Sequence, residues 1–219
     1  MKKLLILFLI LFSACFSFKL PEGKYELNEQ GIDYYIYVPP KVSNKMILIL
    51  HDSNEKSKQA VDYWYEYARK ANYLILAPDP LKKEGWGKDD EERIKRLIGI
   101  ISRDYGDQRV LINGVSSSSF YAFYLVMNNP GRFDALCNFM GLVMSSLSPE
   151  ILVFPEGQKT SPILFVHGMM KNEIPTKYAR LDVQKIREKG YDITYWEVNN
   201  LKGQVNRDIL KWFEEIISQ

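Results

Sequence analysis

Val110-Leu111-Ile112-Asn113-Gly114-Val115-Ser116-Ser117-Ser118-Ser119-Phe120-Tyr121 is the stretch that decides how this chain folds. A short apolar run at 110–113 ends in a turn of small residues. The chain then enters a segment at 117–129 in which Phe120, Tyr121, Phe123, Tyr124, Leu125, Val126 and Met127 leave almost no polar face. The first part reads as a strand and the second as a largely buried helix. A serine at such a tight strand-to-helix turn is exposed where the residues two before and two after it are small. Gly114 and Ser118 meet that demand around Ser116. Because the turn follows an apolar strand and opens a buried helix, Ser116 is read as the tip of an elbow. A plainer reading stays open, in which serines 116–119 only cap and start the helix.

Outward from this unit, other β-branched and aromatic runs alternate with helical patterns. The predicted strands are 34–38, 46–50, 74–77, 110–113, 135–139, 163–166 and 193–198. Met46-Ile47-Leu48-Ile49-Leu50 and Ile163-Leu164-Phe165-Val166 are continuously apolar, as expected of strands covered on both faces. Ile94, Leu97, Ile98 and Ile101 recur at helical spacing. Asp89, Asp90, Glu91 and Glu92 crowd the start of that helix, where its dipole favours negative charge. A last helix from about residue 205 carries Ile209, Phe213, Ile216 and Ile217 on one side. Such alternation predicts an α/β fold, a three-layer α/β/α sandwich around a mainly parallel sheet. No internal repeat or long linker divides the chain. Residues 79–90, with Pro80, Gly85, Trp86 and Gly87, are expected to be a long loop bordering the site.

The first residues stand apart from that core. Lys2 and Lys3 precede the apolar run 4–12 and then small residues, the pattern of a secretory signal peptide over residues 1–14. The run is shorter than the roughly 20 apolar residues that a membrane span requires. Phe12-Ser13-Ala14-Cys15 is similar to a bacterial lipoprotein processing site, which would make an acylated Cys15 the mature N-terminus. Such sites usually carry Leu where Phe12 stands, and plain cleavage nearby is the alternative. Residues 15–33 are then a lead-in and 34–219 the domain.

Loss of Lys2 and Lys3 lowers Lys+Arg from 29 to 27, equal to the 27 Asp+Glu. A neutral domain gives no reason to expect nucleic acid as a partner and leaves membrane contact to the lipid anchor. Cys137, within Ala135-Leu136-Cys137-Asn138-Phe139, is expected to be buried and unreactive. With two cysteines and two histidines, neither a disulfide framework nor a Cys/His metal site is expected. No phosphate-cradling loop or dinucleotide fingerprint is present, so no cofactor is expected.

Six motifs in order carry a resemblance: Tyr35-Ile36-Tyr37-Val38-Pro39, Leu48-Ile49-Leu50-His51, Leu76-Ala77-Pro78-Asp79, Asp107-Gln108-Arg109-Val110, Gly114-Val115-Ser116-Ser117-Ser118, and Phe165-Val166-His167-Gly168 with Ile174-Pro175. From about Tyr34 onward the chain resembles the small esterase branch of the α/β-hydrolase superfamily, with polyhydroxyalkanoate-depolymerase-like, feruloyl-esterase-like and carboxylesterase or phospholipase-like members. The resemblance implies a minimal α/β-hydrolase fold without a large lid, and Ser116 at the nucleophile position. The backbone N–H of Ser117 would then point to the oxyanion.

The rest of the expected machinery departs from the pattern. The resemblance puts the acid four residues after His167, where Lys171 stands; Glu173 is nearby but would need a rearranged loop. It puts the catalytic histidine in the loop after the last strand, here Asn199-Asn200-Leu201-Lys202-Gly203-Gln204, and no histidine follows position 167. The loop after the His51 strand usually carries Gly, whereas this chain has Asp52, whose carboxylate would repel a developing oxyanion if it faces the site. His51 and His167 fall at strand ends where the family uses them structurally. The expectation is an exported hydrolase-fold protein without conventional Ser-His-Asp activity. It would bind a small apolar or ester-like ligand in the vestigial pocket, with Trp86 and residues 52–60 nearby. Two alternatives stay open: an esterase using Ser116 with Lys202 or Lys171 as base, and a scaffold protein with no pocket.

Overall fold

The computed structural model describes residues 19–143, 161–169, 175–199 and 204–218. The predicted signal segment with Cys15, the loop residues Lys171, Glu173 and Lys202, and residues 144–160, on which the expectation of no large lid turns, lie outside the described residues.

Eight described strands form one sheet: β1 (Gly23–Glu29), β2 (Ile32–Val38), β3 (Lys45–Leu50), β4 (Leu74–Pro78), β5 (Arg109–Val115), β6 (Ala135–Phe139), β7 (Ile163–Gly168) and β8 (Ile193–Val198). Their spatial order is β1-β2-β4-β3-β5-β6-β7-β8. The pairs β1–β2 and β2–β4 are antiparallel. Every pair from β4–β3 to β7–β8 is parallel. Around the sheet lie α1 (Ser57–Ala71), α2 (Asp90–Tyr105), α3 (Ser119–Asn128), α4 (Thr176–Glu188) and α5 (Gln204–Ile217).

Side chains alternate between two cores because successive strand residues point to opposite faces. Ile47, Ile49, Leu111 and Cys137 pack against Trp64 of α1 and Ile209 and Phe213 of α5. Met46, Leu48, Ile112 and Leu136 face Leu97 of α2, Phe123 of α3 and Val183 of α4. This is the three-layer arrangement that the alternating pattern predicts. Cys137 is fully buried, and burial pushes its thiol pKa up, so it is a packing residue.

One boundary moves. Residues 15–33 are not simply a lead-in, because β1 occupies Gly23–Glu29 and pairs along its whole length with β2. The two strands are joined through Gln30 (φ 54) and Gly31 (φ 76), a two-residue connection with both residues left-handed, which suits the twist of a hairpin. Gln-Gly is not among the usual hairpin signals, so the sequence carries little warning of it.

Candidate active site

The carboxyl ends of β4, β3 and β5 are neighbours, so the chain leaving each strand converges on one rim. That rim is where open α/β sheets place ligands. It gathers Asp79 after β4, His51 and Asp52 after β3, and the serine turn after β5.

Ser116 adopts φ 51, a left-handed conformation that costs a non-glycine residue roughly 1–2 kcal/mol. The surroundings hold it there. The Ser118 hydroxyl accepts the Val115 N–H at 2.8 Å and donates to the Leu50 carbonyl, tying the turn to β3. The Ser119 hydroxyl donates to the Gly114 carbonyl at 3.0 Å. A Cβ on Gly114 would lie 2.6 Å from the Ala122 Cβ, so α3 packs this close only because position 114 is glycine. Ser118 stands at the N-cap of α3 but makes no side-chain cap bond; with Ser119 it braces the turn instead, and Ser116 is the left-handed tip.

The donors that would serve an oxyanion are engaged. The Ser117 N–H points to Asp52 Oδ2 at 3.3 Å. The Ser53 N–H, in the loop after β3, donates to Ser117 Oγ at 3.3 Å. Asp52 Oδ1 accepts the Asn54 N–H at 3.0 Å and the Asn54 amide at 3.3 Å. Burial alone would raise the Asp52 pKa, but hydrogen bonds from the Ser116 hydroxyl and from the Asn54 and Ser117 backbone outweigh it and hold the group below its usual range. Asp52 is thus a carboxylate at neutral pH, seated against the donor that the elbow directs into the site.

His51 faces acceptors on both ring nitrogens: Nδ1 lies 2.9 Å from the Asp52 carbonyl, and Nε2 lies 3.1 Å from Asp79 Oδ1. That pairing suits a doubly protonated ring. Burial opposes the charge, yet the Asp79 hydrogen bond, the Asp52 carbonyl and the Asp79 charge together raise the His51 pKa. Asp79 is shifted the other way: burial is outweighed by His51 and Ser57. With no lone pair directed at Ser116, His51 locks the loop after β3 and is not placed to act as a base. His167 is buried within β7, opposite Glu197 of β8 in register.

Trp86 is likewise a brace. Its indole N–H donates to the His51 carbonyl at 2.9 Å, and its ring stacks on Tyr121 at 5.9 Å. The long loop 79–90 is stapled by buried Asp90, which accepts the Leu81 and Gly87 N–H groups and pairs with Arg93 at 2.6 Å. Gln204 opens α5 and is exposed to solvent.

A pocket of about 230 Å³ adjoins the elbow, lined by Ile49, Glu55, Gln59, Ala60, Tyr63, Trp64, Val115 and Phe139. Glu55, Gln59 and Ala60 come from the expected 52–60 segment. Trp86 does not line it. Tyr63, Trp64 and Phe139 were not singled out by the sequence reading. The spacing of Ala60, Val61, Trp64 and Ala68, which face the core from α1, is the signal that could have placed Trp64 there; Tyr63 lies off that stripe and is exposed.

Solved structures match this architecture over most of the chain. The Thermus thermophilus protein TT1662 superposes with a TM-score of 0.66 at 17% identity, covering 91% of this chain and 100% of its own. Esterase PE8 gives 0.63 at 16%, over 91% and 100%. The S-formylglutathione hydrolase from Agrobacterium tumefaciens gives 0.63 at 16%, over 88% and 93%. No family model matches the chain, and no curated protein matches it. The chain has the α/β-hydrolase fold that these solved structures share.

Proposed function

We propose that this protein is a hydrolase-fold binding protein that does not cleave esters by the Ser-His-Asp route. The observation that carries the reading is the Asp52 carboxylate accepting the Ser117 N–H at 3.3 Å, with the Ser116 hydroxyl helping to hold that carboxylate ionised. Ester cleavage needs preorganised donors where the oxyanion develops, and removing one such donor costs about 100- to 1,000-fold in rate. Here an anion already sits on the donor, so a second would be repelled. The commitment of His51 to Asp79 supports the same reading.

The strained tip at Ser116 favours the rival, an esterase that uses Lys202 or Lys171 as base. The open pocket beside the elbow favours binding over a scaffold with no pocket. Hydrolysis of a short-chain p-nitrophenyl ester separates the first two. The wild-type rate is expected to equal that of Ser116→Ala and of buffer. A rate that falls at least tenfold in Ser116→Ala would sink the binding-only proposal.

The proposal includes export and a lipid anchor at Cys15. Among the described residues no helix is long and apolar enough to cross a membrane. In a bacterial host, the full-length chain is expected in the membrane fraction and Cys15→Ser in the soluble exported fraction. Equal partitioning of the two would remove the anchor from the account.

A further inference from the structure

We propose that the pocket beside the elbow takes a ligand with an ammonium head, a compact amine or quaternary ammonium cation, and rejects carboxylates. This rests on the binding reading above and specifies the ligand for the same site.

The lining has two kinds of group that favour a cation. The first is aromatic. Tyr63 meets both Trp64 and Phe139, with ring centroids at 6.5 Å and 6.1 Å and interplanar angles of 82° and 56°. Rings set at such steep angles form separate walls, not a flat stack, and walls of this kind receive quaternary ammonium groups through their electron-rich faces. The second is acidic. Glu55 lines the pocket, and no Lys or Arg does. Glu55 has no ion-pair partner among the described residues. Gln59 adds a neutral polar group, although its side-chain oxygen is taken by the Lys56 N–H at 3.0 Å.

Asp52 strengthens the preference. It belongs to the same turn as Glu55, whose N–H donates to the Asp52 carbonyl at 3.0 Å. Glu55 thus puts one carboxylate on the wall of an apolar cavity, and Asp52 holds a second in the adjoining turn. A site built for ester cleavage directs N–H groups at a developing anion. This one has replaced that field with negative charge, so the sign of the preferred ligand is inverted. The remaining lining, Ile49, Ala60 and Val115, suits the methyl groups of a quaternary head or the body of a small amine.

The test is calorimetric titration of the full-length chain, purified in a non-ionic detergent, with three probes of one shape. These are choline, the uncharged neohexyl alcohol with carbon in place of nitrogen, and tert-butylacetate. Choline is expected to bind about tenfold more tightly than the alcohol, and tert-butylacetate not measurably. Glu55→Gln and Tyr63→Leu, both at partly or fully exposed positions that should leave folding intact, are each expected to weaken choline at least threefold. Equal binding of choline and the alcohol, or binding of the carboxylate, overturns the ammonium proposal and leaves an apolar binding site. Failure of choline to bind also overturns it. Ester hydrolysis lost in Ser116→Ala would instead fell the underlying binding-only reading, without changing the order of the three probes.

Discussion

Gly141→Ala is expected to destabilise the folded protein by about 3 kcal/mol, as overpacking against backbone does when it cannot be relieved by a rotamer change. A Cβ at position 141 would run into the Ser119 hydroxyl and the Ser116 carbonyl oxygen, far inside contact distance. Those atoms belong to the elbow, so the chain after β6 and the turn after β5 fit together only while position 141 lacks a side chain. The Ser119 hydroxyl is also the group that holds the Gly114 carbonyl. Gly99→Ala is the control. Nothing lies within 4 Å of the added methyl in α2, so that variant is expected to gain about 0.5–1 kcal/mol from reduced freedom of the unfolded chain. Urea denaturation of the two variants beside wild type measures both. A Gly141→Ala protein of wild-type stability would mean that this contact is looser than the geometry requires.

The second large effect belongs to His51. His51→Ala is expected to cost about 3 kcal/mol, since it removes a buried ring and leaves the Asp52 carbonyl with only the Glu55 N–H and Asp79 with only Ser57. The pH dependence follows from the two shifts. The folded pKa of His51 is raised, so its contribution is fully present below the ordinary histidine value of about 6.5 and is lost as pH rises through the raised value. The folded pKa of Asp79 is lowered, so its contribution is present above the ordinary aspartate value of about 3.9 and is lost as pH falls through the lowered value. The pair therefore stabilises most strongly between those two ordinary values. Asp79→Asn is expected to cost only about 1–2 kcal/mol at pH 6, because the Asp79 side chain is 40% exposed and water screens the interaction. Its stability should decline less than that of wild type as pH rises. Denaturant melts of the two proteins between pH 5 and pH 9 would show whether the alkaline slope flattens. An unchanged slope would remove the charged pair from the account.

Much of the fold was legible because it rests on local periodicity. The stripe of Ile94, Leu97, Ile98 and Ile101, the unbroken apolar runs of β3 and β7, and the apolar helix after Ser116 each reflect a neighbouring layer, and all four α2 residues are buried. What escaped depends on contacts between distant segments. β1 is stabilised by pairing with β2, and its alternating polar residues sit at the sheet edge, where burial imposes no strong pattern. The role of His51 depends on Asp79, which arrives from the end of β4, so the histidine's place in the sequence says nothing of its protonation. The direction of the Asp52 effect could be foreseen from its charge, but not that it would accept the Ser117 N–H itself. Trp86 could pass for a ligand-facing aromatic until its indole N–H was found on the His51 carbonyl. The pocket aromatics come from α1 and β6, and only the folded sheet brings them together.

The central claim is that Ser116, although held in an elbow, is not activated. Its most direct test is labelling of the purified full-length protein, shown to be folded by circular dichroism, with a fluorophosphonate probe beside Ser116→Ala. The account predicts no labelling above that of the variant, because the Ser117 donor is taken by Asp52 and His51 is turned to Asp79. Stoichiometric labelling that disappears in Ser116→Ala would contradict it, and would assign the missing base to Lys202 or Lys171.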